Sequence, residues 1–454
     1  MAVSAPATLS NEEIARQKRR AIIAAAVGTS IEWYDFFLYT TAAALVFPKL
    51  FFPTSDPYTG VLLSFSTYFV GFAARPVGAA IFGHYGDRLG RKRTLIVTLL
   101  LMGLATLAIG LMPTYAQVGA FGAVLLTVLR ALQGLGVGGE WGGSVLLSLE
   151  WNAKGKRGLV GSWPQFGVPV GLVLSNAAFL FFNQLTGKNF LVYGWRLPFL
   201  LSVVLVGVGL YIRLGILETP VFTSLAERKL IEKAPVAAVL RQNWREVALS
   251  ALARLGQNTQ FYIFTGFVLA YGTTTLHFKR AELLNATLVM SVISLVTVPL
   301  FGYVSDFLGR RRTYLIGCAI MIPLPFLYYG LLDTRIYGLV FAAIIFSLPL
   351  HDMQYGPQAA LIAEQFTGRL RYSGASLGYQ LASLIAGGPA PLVATFLVAR
   401  YHSSTPVAIY LAICAAISVA ATLGMKDNAH KDITVEYDRA PVEAGPAQPR
   451  PMPS

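Results

Sequence analysis

The segment "GHYGDRLGRKRT" at residues 83–94 returns at residues 302–313 as "GYVSDFLGRRRT", 219 positions further along the chain. Each copy sets one aspartate, Asp87 or Asp306, among arginines and glycines. The chain is otherwise poor in charge, since 55% of its residues are hydrophobic and only 13% are charged. A charged segment that occurs twice at this separation indicates an internal duplication.

The composition indicates a membrane protein. The 454-residue chain is 12% aromatic, and its mean hydropathy of +0.58 lies outside the range of ordinary soluble domains. Residues 94–112, "TLIVTLLLMGLATLAIGLM", carry no charge and match the roughly 20 apolar residues that a helix needs to cross a bilayer. We predict spans of this kind near residues 21–48, 59–83, 94–112, 117–149, 158–183, 197–216, 246–272, 282–304, 313–331, 336–362, 373–399 and 405–425.

The predicted fold class is therefore an all-α membrane protein, with about twelve transmembrane helices in two six-helix halves. The predicted parts are an N-terminal tail (1–20), the first half (21–216), a charged linker (217–245), the second half (246–425) and a disordered tail rich in proline, alanine and charge (426–454). On this assignment 25 of the 36 basic residues fall on one side of the membrane and 7 on the other. Lys and Arg are retained in cytoplasmic loops, so both termini are expected in the cytoplasm of a bacterial cell, with the chain in its inner membrane.

Several classes of function are disfavoured. The net charge of +14 follows from membrane topology and attraction to anionic lipid, so it gives no reason to expect a nucleic-acid partner. Two cysteines within predicted spans and five scattered histidines predict neither a disulfide framework nor a metal site. Because the chain also lacks a Walker-type loop, ATP is not expected to supply its energy. Neither an enzyme's nucleophile and base nor an obligatory protein partner is readable in the sequence.

A set of motifs in a fixed order resembles the major facilitator superfamily, and within it the metabolite:proton symporters that include bacterial shikimate, α-ketoglutarate and proline/betaine carriers. The motifs are the repeated loop, "IEWYDFFLY" (31–39), "GFAARPVGAAIFG" (71–83), "RALQGLGVGGEWGGSVLLSLEW" (130–151), "GWRLPFL" (194–200) and "YSGASLGYQLASLIAGG" (372–388). The resemblance implies uptake of a small organic acid or zwitterion together with protons, by alternating access. A proton gradient would supply the energy, and no cofactor is expected. A passive facilitator, or a proton antiporter that exports its substrate, is the alternative. The glycines and prolines of "GSWPQFGVPVGLVLSN" in the fifth predicted span resemble a motif of the superfamily's antiporters, although both residues are common in membrane helices, where they permit close packing and bending.

In this superfamily the loop aspartate is thought to clamp the cytoplasmic ends of the helices, a role that the resemblance gives to Asp87 and, in mirror image, to Asp306. An aspartate at a span end can accept hydrogen bonds from arginines or from a helix N-terminus, and glycines let a tight loop pass close by. The alternative is that both loops only fix the topology, and Phe307 replaces an arginine in the second copy. The predicted gating residues are Gly83, Asp87, Arg88, Gly90, Arg91, Asp306, Gly309 and Arg310.

Charged residues inside predicted spans are costly, so we interpret them as functional. Asp35 and Arg130 fall near the membrane midplane and are predicted to form a pair, while Glu32, Arg75 and Glu140 form a possible second ionic layer. The predicted proton-coupling residues are Asp35, Arg130, Glu32 and Glu140. The alternative is a set of structural ion pairs that hold the spans together.

Polar residues of both halves are candidates to bind the substrate, although such groups also hold helices together in membranes. The predicted substrate-binding residues are Tyr34, Arg75, Gln133, Gln165, Arg254, Gln257, Gln260, His351, Tyr379 and Gln380. Two further polar residues adjoin them in the sequence: Asn258 follows Gln257, and Asp352 follows His351.

The predicted topology can be tested by cysteine labelling in intact cells. Single cysteines placed in residues 1–20 or 426–454 should resist a reagent that cannot cross the membrane, because both tails are expected inside. Efficient labelling from outside would contradict the topology, and with it the cytoplasmic placement of both repeated loops.

Overall fold

The computed structural model describes residues 10–55, 57–152, 156–228 and 230–433. Most of the predicted C-terminal tail, residues 434–454, and the first nine residues lie outside the described residues. The twelve predicted spans are all helical, and the described part of the chain contains no β-strand. We call them spans 1 to 12.

The first half consists of spans 1 to 6, with short helical turns at Phe47–Phe51, Tyr115–Val118 and Phe190–Gly194 between them. Span 1 begins ten residues earlier than predicted, because the Ser10 side chain and Glu13 cap its N-terminus reciprocally. Much of the predicted N-terminal tail is therefore helix. The six spans are Asn11–Leu45, Pro57–Leu89, Arg91–Leu111, Phe121–Trp151, Arg157–Thr186 and Arg196–Leu214.

The second half repeats the pattern with three interrupted spans. Spans 7 and 11 each contain a π-helical turn, and span 9 is broken before Pro323. The linker also carries two short helices, Pro220–Glu227 and Pro235–Gln242. Spans 7 to 12 are Trp244–Tyr262 with Ile263–Phe267 and Val268–Thr274; Arg280–Leu308; Arg310–Ile320 with Leu324–Asp333; Tyr337–Ala363; Arg371–Ala382 with Ser383–Gly387 and Ala390–Tyr401; and Thr405–Gly424.

Nine helices in the described part of the chain are long and apolar enough to cross a membrane by length and composition alone. The three spans that are not among the nine, spans 2, 7 and 10, carry Arg75, Arg254 and His351. Each of these three side chains is a predicted substrate-binding residue.

Close helix packing sets the position of the basic residues in the first half. A Cβ atom added at Gly138 of span 4 would lie 2.2 Å from the carbonyl oxygen of Arg75 in span 2, so only glycine permits this approach. Arg75 and Arg130 both lie near the aromatic ring of Phe36 in span 1, at 4.9 and 5.3 Å from its centroid.

The two halves meet where span 11 packs against spans 2 and 4, and where span 5 packs against spans 8 and 10. Aromatic rings from both halves meet near the middle of the molecule, where Trp33 lies 5.6 Å from Phe261 and Phe72 lies 5.3 Å from Tyr262. We call the end of the molecule that carries both repeated loops, residues 83–94 and 302–313, the loop side.

Candidate functional site

The first feature of the site is a contact between the halves at the loop side. Asp87, in the last turn of span 2, accepts hydrogen bonds from the backbone amides of Tyr372 and Ser373 at 3.3 and 2.9 Å, and from the Ser373 hydroxyl at 2.8 Å. These amides open span 11, where the first turn of a helix has free N–H groups and a partial positive charge. Arg91 pairs with the same carboxylate at 2.9 Å. A carboxylate of the first half thus caps a helix of the second half.

The same contact occurs a second time with the halves exchanged. Asp306, near the end of span 8, accepts hydrogen bonds from the amides of Gly158 and Leu159 at 2.8 and 2.9 Å, in the first turn of span 5. Arg310 pairs with Asp306 at 3.1 Å. We call the Asp87 contact the first clamp and the Asp306 contact the second clamp.

The arginine that the second loop lacks does not take part in either clamp. Arg88 is exposed and contacts the His84 ring at 3.1 Å, and Phe307, at the equivalent position, is 68% exposed. This position points away from the clamp in both copies. The replacement of arginine by Phe307 therefore leaves the second clamp intact, and Arg88 makes none of the clamp contacts expected of a gating residue.

Glycines let the clamped helices turn and approach. Gly90 and Gly309 adopt φ values of +111° and +94°, which favour glycine, where the chain passes from one helix to the next. A Cβ atom at Gly83 would lie 2.9 Å from the Cα of Ser373, so span 11 passes directly against this position.

Two glutamates that we did not predict join the clamps to further arginines. Glu150 lies 3.5 Å from Arg91 and 3.4 Å from Arg371, while Glu364 lies 3.0 Å from Arg310 and 2.8 Å from Arg157. Each glutamate therefore bridges arginines of both halves. The sequence held a signal for them, because a glutamate precedes an arginine by seven residues in "EWNAKGKR" (150–157) and again in "EQFTGRLR" (364–371).

Two carboxylates outside the spans lie among these charges, Glu364 buried and Glu218 half-buried. Burial raises the pKa of the Glu364 carboxyl to about 7, although Arg310 and Arg157 act to lower it. In the linker, Glu218 accepts hydrogen bonds from the amides of Arg91 and Lys92 at 3.1 and 3.2 Å and so caps span 3. Burial also raises the pKa of Glu218 above its usual value. The linker is thereby attached to the first clamp.

Deeper in the first half, Asp35 and Arg130 belong to one polar chain but do not pair directly. Thr106 donates to Asp35 at 2.9 Å, Gln133 donates to Thr106 at 2.7 Å, and Arg130 donates to Gln133 at 3.1 Å. All of these side chains are buried, and Arg130 also lies 4.2 Å above the Tyr39 ring. We call this the Asp35 chain. It connects the two predicted charges through Thr106, which the sequence did not single out.

The predicted ionic layer of Glu32, Arg75 and Glu140 is arranged differently. Glu140 pairs with Arg213 of span 6 and accepts a hydrogen bond from Thr98 at 2.8 Å, so its charge is satisfied within the first half. Glu32 and Arg75 have no ion-pair partner within 4.0 Å among the described residues, and Arg75 lies 4.4 Å above the Phe72 ring. Span 6 places Arg213 beside span 4, which the sequence alone could not show.

In the second half, Arg254 packs on an aromatic pair that crosses between the halves. Its guanidinium lies 3.3 Å above the Tyr379 ring, and Trp141 of span 4 stacks on the same ring at 3.6 Å. Two groups so close to one ring must lie on opposite faces. Trp141, which we did not predict, also donates to Gln165 at 2.8 Å. We call Trp141, Tyr379 and Arg254 the central stack.

Further amides cross the interface near the stack. Gln380 donates to the Val137 carbonyl at 3.3 Å, and Gln165 donates to the Tyr355 carbonyl at 3.4 Å. Both bonds join one half to the other, so these two predicted residues do lie at the interface.

His351 belongs to a buried network within the second half. Its ring contacts Gln257 at 2.7 Å and Asp352 at 3.4 Å, and Gln358 donates to Gln257 at 3.1 Å. Gln358 also accepts a hydrogen bond from Arg254 at 3.3 Å, which connects this network with the central stack.

Two predicted residues are held away from the centre. Tyr34 donates to the Pro198 carbonyl at 2.7 Å, and Gln260 donates to the Met321 carbonyl at 3.2 Å. Each bond stays within one half. The remaining predicted residues lie in the Asp35 chain, around Arg75, or in the second-half network.

A twelve-span protein of two repeated halves, with buried charges between them, is the architecture of a secondary transporter. The family model of the Major Facilitator Superfamily matches residues 25–391. The chain is 40% identical over 423 residues to the inner membrane metabolite transport protein YhjE of Escherichia coli strain K12, covering 92% of this chain and 96% of that protein. It is also 40% identical to the shikimate transporter of the same strain, covering 90% and 95%.

A proline/betaine transporter of Salmonella typhimurium is 30% identical over 91% of this chain and 85% of its own. Among solved structures, the proton:xylose symporter XylE bound to 6-bromo-6-deoxy-D-glucose superposes with a TM-score of 0.67 at 17% identity, covering 90% of this chain and 95% of that one. The chain belongs to the major facilitator superfamily. It is a multi-pass membrane protein and a transporter of metabolites, not an enzyme.

The clamps give the first prediction from the structure. Asp87→Asn removes a charge that accepts three hydrogen bonds across the halves, and hydrogen bonds to charged groups contribute about 1.5–3 kcal/mol each. We expect transport by the variant to fall at least about tenfold while its amount in the membrane stays normal. Uptake of a substrate by whole cells, normalised to membrane protein, measures the effect.

Arg88→Gln is the matched control, since Arg88 lies in the same loop but points away from the clamp. It should transport at the normal rate. Normal transport by Asp87→Asn would assign the loop a purely topological role.

Proposed function

We propose that the protein takes up a small organic acid or zwitterion together with protons, by alternating access between the two sides of the membrane. One observation carries this proposal: three buried arginines of the interior, Arg75, Arg130 and Arg254, have no ion-pair partner within 4.0 Å among the described residues. Each contacts aromatic rings instead.

All three arginines lie beside aromatic rings that reach the interface between the halves. Arg130 lies 5.3 Å from the Phe36 ring, which lies 6.0 Å from the Tyr262 ring of the second half. Arg75 lies over Phe72, whose ring contacts Tyr262 of the second half at 5.3 Å. Arg254 lies on the central stack, which itself joins the halves. A substrate bound between the halves would therefore meet positive charge from both sides.

Buried charge without a counter-ion is costly, so this arrangement favours an anionic ligand. A carboxylate accepts paired hydrogen bonds from a guanidinium with good geometry. The related transporters named for shikimate and for proline and betaine move compounds that carry a carboxylate. This supports a carboxylate as the group that the arginines recognise.

The Asp35 chain supports coupling to protons. Asp35 is 1% exposed, and one of its carboxylate oxygens accepts a hydrogen bond from Thr106. If a substrate carboxylate draws Arg130 away from Gln133, the chain from Gln133 through Thr106 must rearrange. The attraction between Arg130 and the Asp35 carboxylate then weakens, which favours a proton on Asp35. The substrate and the proton would thus be bound together.

The same proposal includes the membrane in which the protein lies and the orientation of its loop side. The inner membrane of a bacterial cell holds the proton gradient, and the loop side and both termini lie in the cytoplasm. In the described conformation the clamps close the loop side, and the central stack is buried. Transport requires these contacts to separate so that the central site opens to the cytoplasm.

The glycines of span 5 have a packing role that requires no antiport. A Cβ atom at Gly171 would lie 2.6 Å from the Cβ of Trp33, and one at Gly167 would lie 2.7 Å from the amide nitrogen of Ser30. Span 5 uses these residues to approach span 1. Close packing thus explains these glycines without reference to the direction of transport.

Asp35→Asn tests the proton coupling. The variant resembles the protonated carboxyl in shape, so it should still exchange substrate across the membrane but accumulate none against a gradient. Counterflow in reconstituted vesicles should stay within about threefold of normal, while accumulation driven by an imposed pH gradient falls to the equilibrium level. Arg130→Ala should lose substrate binding as well.

Glu227→Gln, an exposed carboxylate of the linker, is the matched control and should accumulate substrate normally. Accumulation by Asp35→Asn that a protonophore abolishes would place the coupling elsewhere, with Glu32 and Glu140 the next residues to test. Uptake by the unaltered protein that a protonophore leaves unchanged would instead favour a passive facilitator.

A further inference from the structure

The chain that follows span 12 turns back across the loop side. Gln365 exchanges two hydrogen bonds with the backbone of Lys426, at 2.8 and 3.3 Å, and Asn428 donates to the Glu364 carbonyl at 2.9 Å. Residues 426–433, which we call the strap, are thus attached to the connection between spans 10 and 11. This part of the predicted disordered tail is ordered.

The strap then contacts an arginine of the first half. The guanidinium of Arg157 donates to the carbonyl oxygens of Ala429 and Lys431 at 2.6 and 2.8 Å, and to that of Asn428 at 3.4 Å. Arg157 is the first residue of span 5, next to the amides that Asp306 caps. The strap therefore joins the second half to the first half at the second clamp.

The end of the strap reaches the other clamp. Arg371, the first residue of span 11, donates to the Ile433 carbonyl at 2.8 Å and pairs with Glu150 of the first half. The Ile433 side chain is 3% exposed and belongs to the same apolar cluster as Val160 and Tyr372, which come from different halves. One short segment thus contacts the first turns of both clamped helices.

We propose that the strap is a built-in latch that stabilises the conformation closed at the loop side and slows its opening. Its bonds to Arg157 exist only while the start of span 5 lies beside Glu364 and Gln365 of the second half. When the halves separate at the loop side, the strap must release Arg157 or leave the second half. The latch rests on the proposed alternating access, but neither on the substrate nor on proton coupling.

The strap can be weakened without changing the clamps. Asn428→Ala with Ile433→Ala removes one side-chain hydrogen bond and the buried apolar contact, while Arg157 and Arg371 remain. His430→Ala is the matched control, since His430 lies in the same segment with an exposed side chain. A cysteine at Ser376, which is buried on span 11 against Gly142 of span 4, reports the opening, with Cys318 and Cys414 replaced by alanine.

The rate at which a small maleimide labels Ser376→Cys in the purified protein measures how often the loop side opens. We expect the double variant to label at least about fivefold faster than the unaltered strap, and His430→Ala to label at the unaltered rate. If the double variant does not reach the membrane, a chain that ends at residue 425 lacks the strap, and a chain that ends at residue 433 keeps it. Only the chain that ends at residue 425 should label faster than the full-length protein.

Equal, measurable labelling with and without an intact strap would overturn the latch and leave alternating access standing. No labelling in any form, including the chain that ends at residue 425, would overturn opening at this side and the latch with it. Because the measurement needs neither a substrate nor a proton gradient, its outcome is separate from that of the transport assays.

Discussion

A carboxylate of one half that caps a helix of the other half is the contact on which the loop side depends. Asp87 accepts hydrogen bonds from the first backbone amides of span 11, and Asp306 accepts hydrogen bonds from those of span 5. Amides at a helix start lack partners within the helix, so a carboxylate satisfies them and offsets the helix dipole. Both contacts exist only while the halves are together. The surrounding arginines, the glutamates Glu150 and Glu364, the linker and the strap are all arranged around these two caps.

The clamps and the central site share the same helices. Span 2 carries Asp87 at its end and Arg75 three turns earlier, and span 11 carries both the capped amides and Tyr379. Because helices are stiff over this length, separating the clamps must also shift Tyr379 relative to Trp141 of span 4. That shift would change the surroundings of Arg254. The structure thus provides a physical route by which substrate binding and opening of the loop side influence each other.

The sequence predicted the fold well because hydropathy and repetition suffice to place spans and to reveal two halves. It also identified Asp87 and Asp306, since an acid in a basic loop at a span end has few other partners. The sequence predicted a similar depth for Asp35 and Arg130, but their direct pairing was wrong, because depth does not fix the rotation of a helix about its axis. Thr106 and Gln133 lie between them; Gln133 was predicted only as a substrate-binding residue, and nothing in the sequence marked Thr106.

The rotation of each helix about its axis also explains where other predicted residues differ from their positions in the structure. Tyr34 is next to Asp35 in the chain but faces span 6, and Gln260 lies one turn from Gln257 but faces span 9. Glu140 was expected beside Glu32, yet Arg213 from another span neutralises it. Partners that come from distant spans are fixed by the packing of helices around one another, which a single sequence does not display. Glu150 and Glu364 were the exception, because their repeated spacing was present and was overlooked.

A disulfide across the first clamp tests the central claim most directly. A Cβ atom at position 83 would lie 3.5 Å from the Cβ of Ser373, which matches the separation in a disulfide, although its 2.9 Å approach to the Ser373 Cα requires a small shift. With Gly83→Cys and Ser373→Cys combined, oxidation should cross-link the halves and stop transport, and a reductant should restore it. Each single variant should be insensitive to oxidation. Normal transport by fully cross-linked protein would contradict the account, because the first clamp would then not have to open.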